Sequence, residues 1–139
     1  MASTSVSQVV PASPERVWQL IGGFGSLSEW NPSITETVLM EGGRVRRLRT
    51  ADGEVVVERM VSFDEEQRTY AYTFVETPFP ATGYLATLRV HAVPGEKDAA
   101  EVQWSGRFVP QGVADDDVVA LFTGIYRDGV DALLKALQG

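Results

Sequence analysis

Polar and apolar side chains alternate along "TSVSQVV" near the start of the chain, the period-2 pattern of a strand with one buried face. Ser13 then precedes Pro14, an N-cap followed by a proline at the first helical position. A helix is expected through "ERVWQLIGGF" as far as the paired glycines. A second short helix is expected to end at Asn31-Pro32, because a residue before proline is pushed toward extended geometry.

From residue 34 to 109 six strand-like runs follow: "ITETVLM", "GRVRRLR", "EVVVERMVSF", "RTYAYTFVE", "YLATLRVHAV" and "AEVQWSGRFV". Gly42-Gly43, Asp52-Gly53, "DEEQ" and Pro94-Gly95 stand between them as turn residues, so an antiparallel meander is predicted. The closing segment has its apolar positions at 118, 121, 122, 125, 129, 132, 133 and 136, which predicts a long helix with one face against the sheet. Asp115, Asp116 and Asp117 suit the positive end of that helix's dipole.

The order and spacing of "SPERVWQLIGGFGSLSEWNP", "VERMVSFD" followed by "YAYTFVETPFP", "GYLATLRV", "VQWSGRF" and "YRDGVDALLKAL" resemble the SRPBCC superfamily. That superfamily holds the START, birch-pollen-allergen-like and polyketide cyclase/dehydrase proteins. The resemblance covers nearly the whole chain and is greatest to the small bacterial polyketide cyclase/dehydrase-like subgroup. It implies an α+β helix-grip fold: a curved antiparallel sheet of about seven strands wrapped around the long C-terminal helix, with two short helices after the first strand. It also implies an internal cavity for a hydrophobic small molecule, used in different members for transport, sensing or cofactor-free chemistry on polyketides.

Composition narrows the partners. The 139 residues are 44% hydrophobic and show no internal repeat, so one domain over residues 1–139 is expected. The net charge is −7, with the basic residues scattered among acids, which disfavours a nucleic-acid partner. There is no cysteine, so disulfides, thiolate metal sites and a cysteine nucleophile are excluded. No apolar run approaches the roughly 20 residues that span a bilayer, and "MASTSVSQVV" lacks a signal-peptide pattern. A cytoplasmic monomer or homodimer without membrane insertion is the expectation.

No cofactor or metal is expected either. The one histidine, His91, shares a strand face with Arg89, opposite Val90, and is expected to point outward. "GGFG" lacks the strand-to-helix context that phosphate cradling needs.

Candidate chemistry concentrates on the strand "EVVVERMVSF", where Val56, Glu58 and Met60 share one face and Val55, Val57, Arg59 and Val61 the other. One charge must therefore lie on the concave side. The family resemblance implies that it is Glu58, followed by a basic residue. A three-residue "ADG" loop would set Thr50 opposite Glu54, Leu48 opposite Val56 and Arg46 opposite Glu58. A two-residue loop would set Arg46 against Arg59, a like-charge pair that costs stability. Glu58 and Arg46 are accordingly the candidate catalytic pair if the protein is an enzyme.

The candidate ligand-binding residues are aromatic. Tyr70, Tyr72 and Phe74 share a strand face; so do Tyr84, Leu88 and Val90, and so do Val102, Trp104 and Phe108. Phe122, Thr123 and Tyr126 come from the long helix, and Trp30 from the second short helix, where it either packs that helix on the sheet or lines the interior. Residues 76–84, "ETPFPATGY", are expected to form a mobile lid at the cavity mouth, hinged at Gly83, because two prolines cannot donate to a ladder. Three functions fit: a carrier or sensor of an apolar ring compound or acyl chain, a cofactor-free cyclase, aromatase or dehydratase, and an interaction module with a filled core.

Overall fold

The computed structural model describes residues 1–138. Strand β1 (Ala2–Val10) leads into α1 (Pro14–Ile21) and the one-turn helix α2 (Leu27–Trp30). Six strands follow: β2 (Ile34–Met40), β3 (Val45–Thr50), β4 (Val55–Asp64), β5 (Thr69–Glu76), β6 (Ala81–Val93) and β7 (Glu96–Pro110), before α3 (Asp115–Gln138). The Ser13 hydroxyl accepts the Arg16 N–H at 3.2 Å, so α1 starts at its serine-proline signal.

The strands form one antiparallel sheet in the order β1-β7-β6-β5-β4-β3-β2. Every joint but one is a connection between sequence neighbours; the exception brings β1 alongside β7. The sheet curves around α3, whose Val118, Phe122, Tyr126, Val130 and Leu133 are buried. This is the helix-grip arrangement. Among the described residues, no helix is long and apolar enough to cross a membrane.

Two glycines let the helix sit close. A methyl group at Gly106 of β7 would collide with the Tyr126 hydroxyl, and one at Gly129 of α3 would collide with the Trp104 ring. The missing side chains are the space into which those two rings fit.

The β3–β4 hairpin sets the orientation of the candidate charged pair. Thr50 N–H donates to the Glu54 carbonyl at 2.9 Å, while Leu48 and Arg46 lie opposite Val56 and Glu58. Gly53 takes the left-handed position, with φ of 86°. Glu58 is thereby buried, and Arg59 projects outward to bond Glu41 at 3.0 Å. The ladder to β5 is irregular at Val57/Glu58 and again at Met60/Ser62, but pairing with β3 stays regular through Glu58. That regular side holds the carboxylate inward.

The expected lid at 76–84 is corrected. Strand β6 starts at Ala81, because β7 runs on to Pro110 and pairs with it, leaving a connector of only residues 77–80. Gln111 N–H also donates to the Pro80 carbonyl at 2.9 Å. Gly83, with φ of 59°, sits in a ladder irregularity between Thr82 and Leu85, so it bends a paired strand instead of hinging a free one.

Candidate functional site

Between the sheet and α3 lies a cavity of about 470 Å³. Its inner end is formed by Arg46, Glu58 and Tyr72, its walls by Phe74, Tyr84 and Trp104, and its helix side by Leu121, Phe122, Ile125 and Tyr126. It reaches solvent beside the β3–β4 turn, where the lining residues Ser33, Ala51, Asp52 and Glu54 are exposed.

Arg46 is the most deeply placed charge. The alternation of β3 sends it inward, and it is 0% exposed. Its Nε donates to Glu58 Oε1 at 2.9 Å, and Nη2 lies 2.8 Å from the same oxygen, too oblique for a second hydrogen bond. Nη1 donates to the Phe24 carbonyl at 3.1 Å and to the Tyr70 hydroxyl at 3.3 Å. The guanidinium lies over the rings of Phe24, at 4.1 Å, and Tyr72, at 4.8 Å. Burial opposes its charge, but Tyr70, Glu58 and Tyr72 outweigh that and hold its pKa above the ordinary value. It is a cation throughout the usable pH range.

Glu58 answers with one oxygen only. Oε1 takes the Arg46 contacts, whereas Oε2 has no hydrogen-bond partner among the described residues. Burial raises the carboxyl above its ordinary value, against the lowering effect of the Arg46 charge and hydrogen bond. A carboxylate with an elevated pKa and one free oxygen can accept a hydrogen bond from a guest or exchange a proton with it.

The hydroxyls beside it are phenols. Trp104 Nε1 donates to the Tyr72 hydroxyl at 2.9 Å, which leaves the Tyr72 proton free to be donated. The hydroxyls of Tyr84 and Tyr126 bond each other. Burial pushes Tyr72, Tyr84 and Tyr126 all upward, so the three remain uncharged near neutrality. The Phe74 and Tyr84 rings stack with centroids 3.9 Å apart, and Phe122 lies 4.9 Å from Tyr84.

The structure divides the aromatic candidates. Tyr72, Phe74, Tyr84, Trp104, Phe122 and Tyr126 line the cavity with Arg46 and Glu58. Trp30, Tyr70 and Phe108 do not. Trp30 packs its ring 6.2 Å from Trp104, Tyr70 sits behind Arg46, and Phe108 lies beneath Phe122 at 4.7 Å. These three share the concave side but lie one layer deeper, because neighbouring rings or the guanidinium stand between them and the open space. Thr123 turns instead to β1, where its hydroxyl bonds that of Thr4. His91 lies near Gln103, Nε2 to Oε1 at 3.2 Å, away from the cavity.

Other lining residues carried no sequence signal strong enough to single them out. Phe79, in the 77–80 connector, places its ring 5.9 Å from Phe74 and 5.7 Å from Phe122. Its segment is the expected lid over the mouth, and the structure makes this one ring a wall instead. Asn31 lines the cavity too, with Oδ1 accepting the Ser33 N–H at 3.1 Å in a local turn. The Asn-Pro pair signalled that turn but not the burial.

Residues 1–138 match the pattern of the family described as polyketide cyclase / dehydrase and lipid transport. No curated protein matches the chain. Among solved structures, an uncharacterized protein of Bacillus thuringiensis is 44% identical, with a TM-score of 0.96 over 99% of this chain and 100% of that one. The protein XoxI from Bacillus cereus is 46% identical, with a TM-score of 0.95 over 98% and 95%. The Zhui aromatase/cyclase from Streptomyces sp. R1128 is 18% identical, with a TM-score of 0.75 over 96% and 89%, a likeness of fold.

Proposed function

Because the chain belongs to the polyketide cyclase / dehydrase and lipid transport family, we propose that it binds a small, largely apolar, ring-containing molecule in the cavity between sheet and α3. In this reading the protein is a carrier or sensor, and the whole chain serves as one binding domain. The observation that supports it most is the cavity itself. About 470 Å³ of space is walled by stacked aromatic rings and opens at one end, within the size range of small-molecule sites. An interaction module with a filled core would have no use for that space.

Native mass spectrometry of the purified protein tests the proposal. A co-purified small molecule, displaced by an apolar ring compound added in excess, is the expected result. A protein that carries nothing and binds no such compound would remove the reading.

A second reading draws on Glu58. A raised carboxyl with a free oxygen, next to a phenol with a free proton, is the minimum for cofactor-free enolisation, aldol closure or dehydration of a poly-β-ketone. Glu58→Gln separates the readings. If Glu58 acts as acid or base, turnover of a polyketone falls on the order of 10²-fold while affinity is nearly kept. A carrier shows no turnover in either form.

A further inference from the structure

The cavity has a chemical bias beyond its apolar walls. Of the Asp, Glu, Lys, Arg and His side chains that line it, those within reach of a guest or at its entrance are carboxylic acids: Glu58 at the inner end and Asp52 and Glu54 at the mouth. The lining cation, Arg46, is 0% exposed; its nitrogens face Glu58 Oε1, the Phe24 carbonyl and the Tyr70 hydroxyl, and rings cover its plane. An anionic guest would find no cation to meet. It would instead face Glu58 Oε2, a carboxylate oxygen in a 6%-exposed residue with no protein partner.

That oxygen belongs to a side chain that lines the cavity, and with no protein donor on it, it can accept one from a guest. An ammonium is not the best match, because Arg46 already offsets the Glu58 charge and the surrounding phenols are neutral. A hydroxyl fits both neighbours: it donates to Oε2 and accepts the free proton of Tyr72. Resting on the binding reading above, we infer that the cavity selects an uncharged, hydroxyl-bearing ring compound over the carboxylate of the same ring. The guest's O–H is donated to Glu58 Oε2.

Calorimetric titration of the full chain at pH 7 with 2-methylnaphthalene, 2-naphthol, 2-naphthoate and 2-naphthylmethylamine tests this. The expected order places 2-naphthol about tenfold tighter than 2-methylnaphthalene and 2-naphthoate weakest, by a further factor of at least about ten. In Glu58→Gln the ratio between naphthol and naphthoate should shrink by about tenfold, since the amide can also donate. If that variant does not fold, the wild-type order alone decides. Naphthoate binding as tightly as naphthol, or the amine binding more tightly, overturns the inference while the cavity remains a binding site. Failure of all four to bind, in a protein that carries no small molecule, removes the binding reading and this inference with it.

Discussion

Arg46 stands directly across the β3–β4 ladder from Glu58, and two of its nitrogens converge on the single oxygen Oε1 at 2.9 and 2.8 Å. The pair neutralises itself at the inner end of the cavity and leaves Oε2 unused. A buried cation is held by a carboxylate, a carbonyl, a phenol and two rings, while the carboxylate keeps one valence for a guest.

Removing the cation should therefore cost more than removing the pair. Arg46→Met strips Glu58 of its counter-charge and deprives the Phe24 carbonyl and Tyr70 hydroxyl of a donor, for an expected loss of about 3–5 kcal/mol. Arg46→Met with Glu58→Leu replaces the pair by apolar groups and should recover most of that loss. Urea denaturation of the two variants beside the wild type measures both. A double variant no more stable than the single one would show that the carboxylate is not what the arginine compensates.

The pH dependence follows from the same group. Burial raises Glu58 above its ordinary 4.5, so between that value and the raised one the folded chain binds more protons than the unfolded chain. Glu58 then contributes stability that is fully present below 4.5 and is lost as pH rises through its folded value. Without Arg46 the rise is larger. The stability of Arg46→Met minus that of Arg46→Met/Glu58→Gln should thus fall with increasing pH from 4.5 upward, other groups cancelling in the difference. A flat difference would mean that Glu58 is not held upward by burial.

Two glycines of α3 should respond oppositely to alanine. Nothing lies within 4 Å of a methyl group at Gly124, so Gly124→Ala should stabilise the chain by about 0.5–1 kcal/mol through helix propensity. At Gly129 the methyl meets the Trp104 ring, and overpacking of about 1–3 kcal/mol exceeds the propensity gain. Thermal melts should move up for the first and down for the second. Equal shifts would mean that α3 does not press on Trp104.

Phe79 is expected to act as a wall with limited movement. Its ring contacts Phe74 and Phe122 from a four-residue connector. Phe79→Ala should weaken binding of a naphthalene probe about three- to tenfold, in line with the loss of part of a ring's apolar contact, with little change in the melting temperature because the residue is only half-buried. In hydrogen exchange, Thr77 and Phe79 should exchange faster than Thr82, which pairs with Val109 of β7. Protection that runs evenly from 77 to 82 would argue that the connector is as rigid as the strands.

Much of the site was legible in the sequence wherever the deciding interaction is local. Alternation in "EVVVERMVSF" divided Glu58 from Arg59, and of the two registers the "ADG" turn allows, the one that avoids an Arg46–Arg59 pair places Arg46 opposite Glu58, as the ladder has it. Ser13-Pro14 marked the start of α1, again by a local signal. Depth was another matter. Alternation assigns a side chain to a face, and Tyr70, Tyr72, Phe74, Tyr84, Trp104 and Phe108 all read as inward. Only the tertiary structure separated those that line the cavity from Tyr70 and Phe108, which are covered by Arg46 and by Phe122.

The same holds for the lid. Two prolines and a glycine near residue 80 imply a free connector, but the partner that extends β6 back to Ala81 lies about thirty residues further on, in β7. How near α3 approaches the sheet depends on Gly106 and Gly129 meeting rings from the opposite element. That approach sets the space left over, because a cavity is the difference between what the sheet encloses and what the side chains fill, a sum over distant residues that no local pattern contains.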